Sequence, residues 1–285
     1  MIRVESRSEL ETALAAEPEG RTGFVPTMGA LHAGHAELIA RAEEECESVV
    51  VSVFVNPTQF DDASDLSSYP RDPEADAVIA DSAGCDVFWT PREQDLYPDG
   101  LETPVEVSDE LTSVLCGARD RRGPEHFAGV TTVVSRLFDA VSPDVAYFGE
   151  KDAQQLAVIT KMTADLGLEI EIRGVPTVRD PDGLALSSRN QRLDAEQREQ
   201  ALAIPKALFA AEELALAGES STETLKAEVE RSLRAAGIQP EYVEARDPSD
   251  LSEVFDVNGS PVLLAVAASV GGVRLIDNVV LEGSG

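Results

Sequence analysis

Two of the chain's three histidines stand three residues apart in "PTMGALHAGH", Pro26 to His35, directly after an apolar run. A strand that turns through Gly29 into a helix starting near Gly34 directs free backbone N–H groups at whatever lies above it, a seat for phosphate. His32 and His35, at i and i+3, fall on one side of that helix start. Each imidazole can donate an N–H to a phosphate oxygen and adds charge when protonated, while Gly34 permits close approach. Two other readings compete: a pair of capping or packing histidines, and a three-histidine zinc site completed by His126. The glycines and the strand-turn-helix setting favour the anion.

Three more polar segments follow apolar runs: "NPTQF", "GEKDAQQ" and "VRDPDGLALSSRN". Lys151 can neutralise a phosphate, and Asp152 can accept from ribose hydroxyls. Ser187, Ser188 and Arg189 follow a flexible "PDG"; alone they read as a polar turn, and they also suit a mobile loop that closes on phosphates. Neither GxxxxGK[ST] nor GxGxxG occurs, so a nucleotide site has to be assembled from these pieces.

The elements that must carry them alternate. Strands are predicted over 22–27, 48–56, 86–90, 144–149 and 169–177, with helices over 35–46, 72–83, 108–115, 130–141 and 152–166. Alternation of this kind predicts an α/β fold, a Rossmann-like parallel sheet flanked by helices, whose ligands bind beyond the strands' carboxyl ends. From Val178 the order changes to two long helices, 195–217 and 222–236, followed by clustered strands, which predicts a smaller C-terminal α+β domain. The expected domains are 1–177 and 178–285.

With 53 acidic against 23 basic residues, the formal net charge is -30. Nucleic acid is excluded as a partner, because phosphate backbones are bound by clustered Lys and Arg. The acidity reads as solvated helix faces or as adaptation to high salt. Cys46, Cys85 and Cys116 are too scattered for a disulfide framework or a zinc cluster and read as small buried hydrophobes. With no apolar run of membrane-spanning length and a polar N-terminus, the expected location is the cytoplasm.

In combination, "PTMGALHAGH", "VVVSVFVNPTQF", "DLSSYPRD", "LYPDG", "HFAGVTTVVSRLF", "YFGEKDAQQ", "VPTVRDPDGLALSSRN" and "LLAVAASVGGVRLIDN" resemble the pantoate–β-alanine ligase family from about Gly23 to Asn278. The HxGH element alone marks only the wider nucleotidyltransferase superfamily. The resemblance implies ATP-dependent condensation of pantoate with β-alanine to pantothenate, through a pantoyl adenylate, with AMP and pyrophosphate released, Mg²⁺ required and a homodimer as the usual state. It implies an ATP site of Met28, Gly29, Ala30, Leu31, His32, Ala33, Gly34 and His35, then Gly149, Glu150, Lys151 and Asp152, then Val178, Leu186, Ser187, Ser188 and Arg189. His35 takes the family's proton-donor position, with His32, Lys151 and Arg189 as further catalytic groups. Gln59 and Gln155 match the two pantoate-binding glutamines, Gln59 also serving β-alanine.

Three positions depart from the family pattern. Leu186 replaces a common Met, an acid follows Gln59-Phe60, and the longer "CGARDRRGPEHF" leaves Arg119, Arg121 and Arg122 competing for one arginine's place. Asp76 falls near the expected site without an assigned metal role. The competing activities are an HxGH adenylyltransferase without the amine-ligation step and a non-catalytic nucleotide-binding module.

Overall fold

A computed structural model of the chain describes residues 1–60, 66–67, 69–98, 100 and 103–282. Asp61, the acid after Phe60, and parts of "DLSSYPRD" and "LYPDG" lie outside the described residues.

Six strands form one parallel sheet in the order β1-β4-β3-β2-β5-β6: β1 Ile2–Val4, β2 Thr22–Thr27, β3 Ser48–Val53, β4 Val87–Trp89, β5 Val145–Gly149 and β6 Glu171–Val175. Val49, Val50 and Val51 of β3 are buried whichever face they point to, because helices cover both sides. On one face pack α1 (Arg7–Leu14), α6 (Pro124–Val141) and α7 (Ala153–Asp165), with Phe24, Trp89, Leu137 and Ile159 in their shared core. On the other, α2 (Ala33–Glu45) and α3 (Pro73–Ser82) bury Ile39, Ala42, Ala77 and Ala80. Short helices α4 (Glu93–Leu96) and α5 (Asp109–Thr112) lie between them in sequence. Winding runs β2 to β3 to β4 in one direction and β5 to β6 in the other, so β2 and β5 flank the switch point where an open sheet leaves a crevice.

A second, antiparallel sheet of β7 (Pro240–Arg246), β8 (Val262–Val270) and β9 (Val273–Leu281) follows α8 (Ala195–Ala201), α9 (Ala203–Leu216) and α10 (Thr222–Ala235). One face buries Leu264, Val266 and Val279 against Leu208, Leu225 and Val229 of α9 and α10. The other face packs Tyr242, Leu263 and Ala265 on Phe127 and Val158. The second sheet is thus seated on α6 and α7 of the first unit.

The α/β reading holds, with differences in several elements: the strands expected over 48–56, 86–90 and 169–177 shorten to Ser48–Val53, Val87–Trp89 and Glu171–Val175, and α4 was not expected. β1 and α1 were not expected. The helix expected from Val130 begins at Pro124, where Pro occupies a first-turn position that needs no donor. The helix expected over 108–115 shortens to Asp109–Thr112. The expected 195–217 helix is two, joined at Leu202, because Pro205 has no N–H to continue the ladder. Among the described residues no helix is long and apolar enough to cross a membrane. Cys85 and Cys116 are buried and Cys46 is partly so, all three as free thiols.

Candidate active site

The turn after β2 is left-handed twice in succession, at Gly29 (φ 84°) and Ala30 (φ 52°). A side chain rarely accepts this backbone without support. Support comes from Asp76 of α3, 2% exposed, whose carboxylate accepts from Leu31 N at 2.7 Å and Ala30 N at 3.1 Å. His32 then caps α2: its Nδ1 accepts from Gly34 N at 3.1 Å, and its own N–H donates to His35 Nδ1 at 3.3 Å. The Ala30, Leu31, His32 and Gly34 amides, expected to face a phosphate, are therefore engaged inside the turn, a correction to the sequence-based reading. Gly34 is needed for the imidazole instead, since a Cβ there would lie 2.9 Å from His32 Cε1.

These bonds also fix the tautomers. With both Nδ1 atoms accepting, each neutral ring carries its proton on Nε2. Burial, reinforced by Lys151, lowers the His32 pKa to about 4. Burial, then the neighbouring His32, lowers His35 to about 3. With values this low the rings are uncharged N–H donors at neutral pH, and the charge each adds when protonated comes only well below it; their ring centres lie 4.2 Å apart.

Across the crevice, β5 ends in the 3-10 turn Glu150–Asp152, and Asn278 of β9 donates from Nδ2 to the carbonyls of Glu150 and Lys151, each at 3.0 Å. Lys151 Nζ lies 3.7 Å from Asp152 Oδ2. The Asp152 carboxyl is surrounded by protein yet half exposed to the solvent of the cavity. Burial would raise its pKa, but Lys151, Arg189 and Arg122 prevail and hold it below the usual range. The third segment closes as a narrow loop through Leu186 N to Val178 O at 3.0 Å, with Ser187 Oγ accepting from Arg189 N. Its base is gripped by Arg179, which meets Asp277 of β9 with two bonds of 2.7 and 2.9 Å.

Beyond the histidines the cavity becomes less polar. Gln59 Nε2 donates to Met28 Sδ, and Asn56 Nδ2 holds both Gln59 Oε1 and Gly129 O at 3.1 Å. Gly129 is required here, as a Cβ would meet Thr58 O at 2.5 Å. His126, lowered to about 4 chiefly by burial, donates from Nδ1 to Gln59 O at 2.7 Å. Val130, Val133 and Val134 of α6 complete an apolar wall.

A cavity of about 300 Å³ unites these walls. Of the residues singled out from sequence it is lined by Met28, His32, Gly34, His35, Gln59, Gly149, Lys151, Asp152, Gln155, Val178, Leu186, Ser187, Ser188 and Arg189. Gly29, Ala30, Leu31, Ala33 and Glu150 are not on its wall, since they build the turns behind it. Arg122 lines it, whereas Arg121 is bound to Glu244 at 2.7 Å and lies over the Tyr242 ring, and Arg119 is exposed. His126 lines the same cavity, but among the described residues no three His, Cys, Asp or Glu side chains are grouped to hold a metal. Asn56, Asp277 and Asn278 had no role assigned from sequence. Only Asn56 carried a local signal, the Asn-Pro-Thr cap of a short turn.

The model of the family described as Pantoate-beta-alanine ligase matches residues 3–280. "Pantothenate synthetase 1" of Bradyrhizobium diazoefficiens is 50% identical over 97% of both chains. The pantothenate synthetase structure from Thermus thermophilus superposes with a TM-score of 0.89 at 45% identity, covering 98% of this chain and 99% of that one. A pantoate-beta-alanine ligase from Francisella tularensis, solved with "beta-gamma ATP" and beta-alanine, gives 0.80 at 34% identity, covering 100% of this chain and 99% of that one. Matched in sequence and in fold along almost its whole length, this chain belongs to the pantoate-beta-alanine ligase family.

Proposed function

We propose that the chain joins pantoate to β-alanine in two steps within this cavity. A pantoate carboxylate oxygen attacks the α-phosphorus of ATP and expels pyrophosphate, giving pantoyl adenylate. The β-alanine amine then attacks the activated carbonyl and displaces AMP. The observation that carries this reading is one cavity with a phosphate-binding side, His32, His35, Lys151 and Ser187 to Arg189, and an amide-lined apolar side, Gln59 and Gln155 beside Val133 and Val134.

As phosphate charge builds up, the two Nε2–H groups donate to phosphate oxygens while Lys151 and Arg189 supply the cationic charge. His35 acts as a hydrogen-bond donor and not as an imidazolium acid. Gln59 and Gln155 can donate and accept, as a carboxylate bearing two hydroxyl groups requires. The valine wall excludes water that would hydrolyse the adenylate. We read Asp152, ringed by cations, as a phosphate-side group and not as the ribose acceptor expected from its place after a strand. Mg²⁺ fits that side: Asp152 offers an ionised carboxylate, whereas Asp277, which also lines the cavity, is committed to Arg179. Asp152 would hold the ion together with phosphate oxygens, and the ion supplies charge neutralisation when bound. The division into 1–177 and 178–285 and the cytoplasmic location, both read from the sequence, and the homodimer that the family resemblance implies belong to the same reading.

The test is to incubate the protein with ATP, Mg²⁺, pantoate and β-alanine, omitting each in turn, and to follow AMP and pyrophosphate. AMP is expected only with all four, and pantoate-dependent exchange of pyrophosphate into ATP is expected without β-alanine. Pyrophosphate release with no β-alanine-dependent AMP would instead assign an adenylyltransferase, and ATP binding without turnover a regulatory module.

A further inference from the structure

The Asp277-Asn278 pair near the end of the chain belongs to a strand of the second sheet, yet both side chains reach segments that emerge from the first. On β9, Leu275, Val279 and Leu281 point into the core beneath α9 and α10, and the alternation of a strand puts Asp277 on that same apolar face. A carboxylate there, 3% exposed, is tolerated only with full compensation. Arg179 provides it with a two-pronged pair, and the Asn278 N–H adds a bond of 2.8 Å to Asp277 Oδ1. The Arg179 guanidinium further donates to Gly183 O at 3.1 Å and Asn278 O at 3.2 Å, which ties both sides of the Val178–Leu186 loop to β9. Asn278, on the opposite face and 8% exposed, sends both amide hydrogens into the Glu150 and Lys151 carbonyls.

We infer that Asp277 and Asn278 are positioning residues that set Lys151 and the Ser187–Arg189 loop in register with each other around the ATP phosphates. Neither side chain is asked to touch substrate. Asn278 fixes the backbone from which Lys151 projects, and Asp277 acts through Arg179 on the base of the loop. Two phosphate-binding segments that follow different strands, with Lys151 and Ser187 36 positions apart, are thereby held by adjacent residues of one strand. The C-terminal sheet is then part of the nucleotide site's framework and not only a cover. This inference rests on the adenylation reading above.

Its test is Asn278→Ala, alone and combined with Lys151→Met, with pantoate-dependent pyrophosphate exchange, the KM of each substrate and Tm as readouts. Misplacing Lys151 by about 1 Å is expected to lower the adenylation rate by about 100-fold and to raise the ATP KM, with the β-alanine KM unchanged. Because Asn278 acts through Lys151, adding Asn278→Ala to Lys151→Met should lower the rate by less than about 3-fold more. Asn278→Ser, which keeps one donor, should recover part of the rate and serves as the test if the alanine variant does not fold. An Asn278→Ala enzyme that folds and keeps its exchange rate and ATP KM within about 3-fold would overturn the positioning role. So would effects of Asn278→Ala and Lys151→Met that simply multiply. A wild-type protein without exchange activity would overturn the adenylation reading instead.

Discussion

His32, His35 and His126 have folded-state pKa values near 4, 3 and 4, against 6.5 for a free imidazole, because each ring is withdrawn from water. The sign of the consequence follows from linkage. As pH falls through about 6.5 the unfolded chain binds three protons that the folded chain refuses until pH 4 or below, so these groups favour folding above 6.5 and progressively oppose it below. The urea midpoint should therefore drop between pH 7 and 5, and His126→Gln should flatten that slope by removing one of the three sites. A midpoint that holds steady over this range would mean that the folded rings take protons normally. Activity carries a separate signature: neutral donors give an exchange rate that is level from pH 6.5 to 8, whereas an obligatory imidazolium would lose rate steadily. The histidines were legible in the sequence because the HxGH pair is local, but their charge state was not. It depends on burial contributed by remote elements, just as the role of Asp76 depends on a bond to Leu31 spanning 45 positions.

Elements decide whether the turn after β2 can present those rings at all. Two adjacent left-handed residues give a chain reversal that Ala30 resists by roughly 1 kcal/mol, and α3 answers by aiming a buried carboxylate at two of its amides. Asp76→Asn keeps the shape but turns an amide N–H₂ toward one backbone donor, so one of the two bonds is replaced by a clash of donors. Its exchange rate is expected to fall by about 100-fold while far-ultraviolet circular dichroism remains that of the folded protein. Near-normal exchange in Asp76→Asn would show that the turn holds itself. At this scale the sequence was informative wherever burial imposed a pattern: β2 was located to the residue, and β3, apolar on both faces, could be little else. α1 was missed although its signal was present, since Ser6 and Glu9 form the reciprocal capping pair that opens it and makes it readable. β1 was not, because three residues are too few to establish an alternation, and its pairing with β4 is set by the sheet edge. The split at Leu202 was missed by following hydrophobic periodicity past Pro205.

For the molecule as a whole, charge is what remains unbalanced. The formal -30 is spread over a surface on which many arginines are already matched, as in Arg3–Glu74, Arg7–Asp139, Arg21–Glu171 and Arg234–Glu230, so the excess carboxylates face one another through solvent. Exposed pairs of this kind contribute little individually. The repulsion is collective, and it favours the expanded unfolded chain, in which like charges move apart. Salt acts on that repulsion directly, since the screening length shortens from about 10 Å at 0.1 M to about 3 Å at 1 M. Tm is therefore expected to rise with KCl between about 0.1 and 2 M, by an amount on the order of 10 °C if several kcal/mol of repulsion are relieved. Salting-out would also stabilise the fold, so the cause has to be separated from the effect. Replacing the exposed Glu37 and Glu43 of α2 with glutamine removes two charges without touching the core, and should raise Tm at low salt and make its dependence on KCl shallower. If salting-out were responsible, the double variant would keep the wild-type slope. If Tm did not respond to KCl at all, the carboxylates would be compensated already, and the acidic surface would have to be explained by solubility alone.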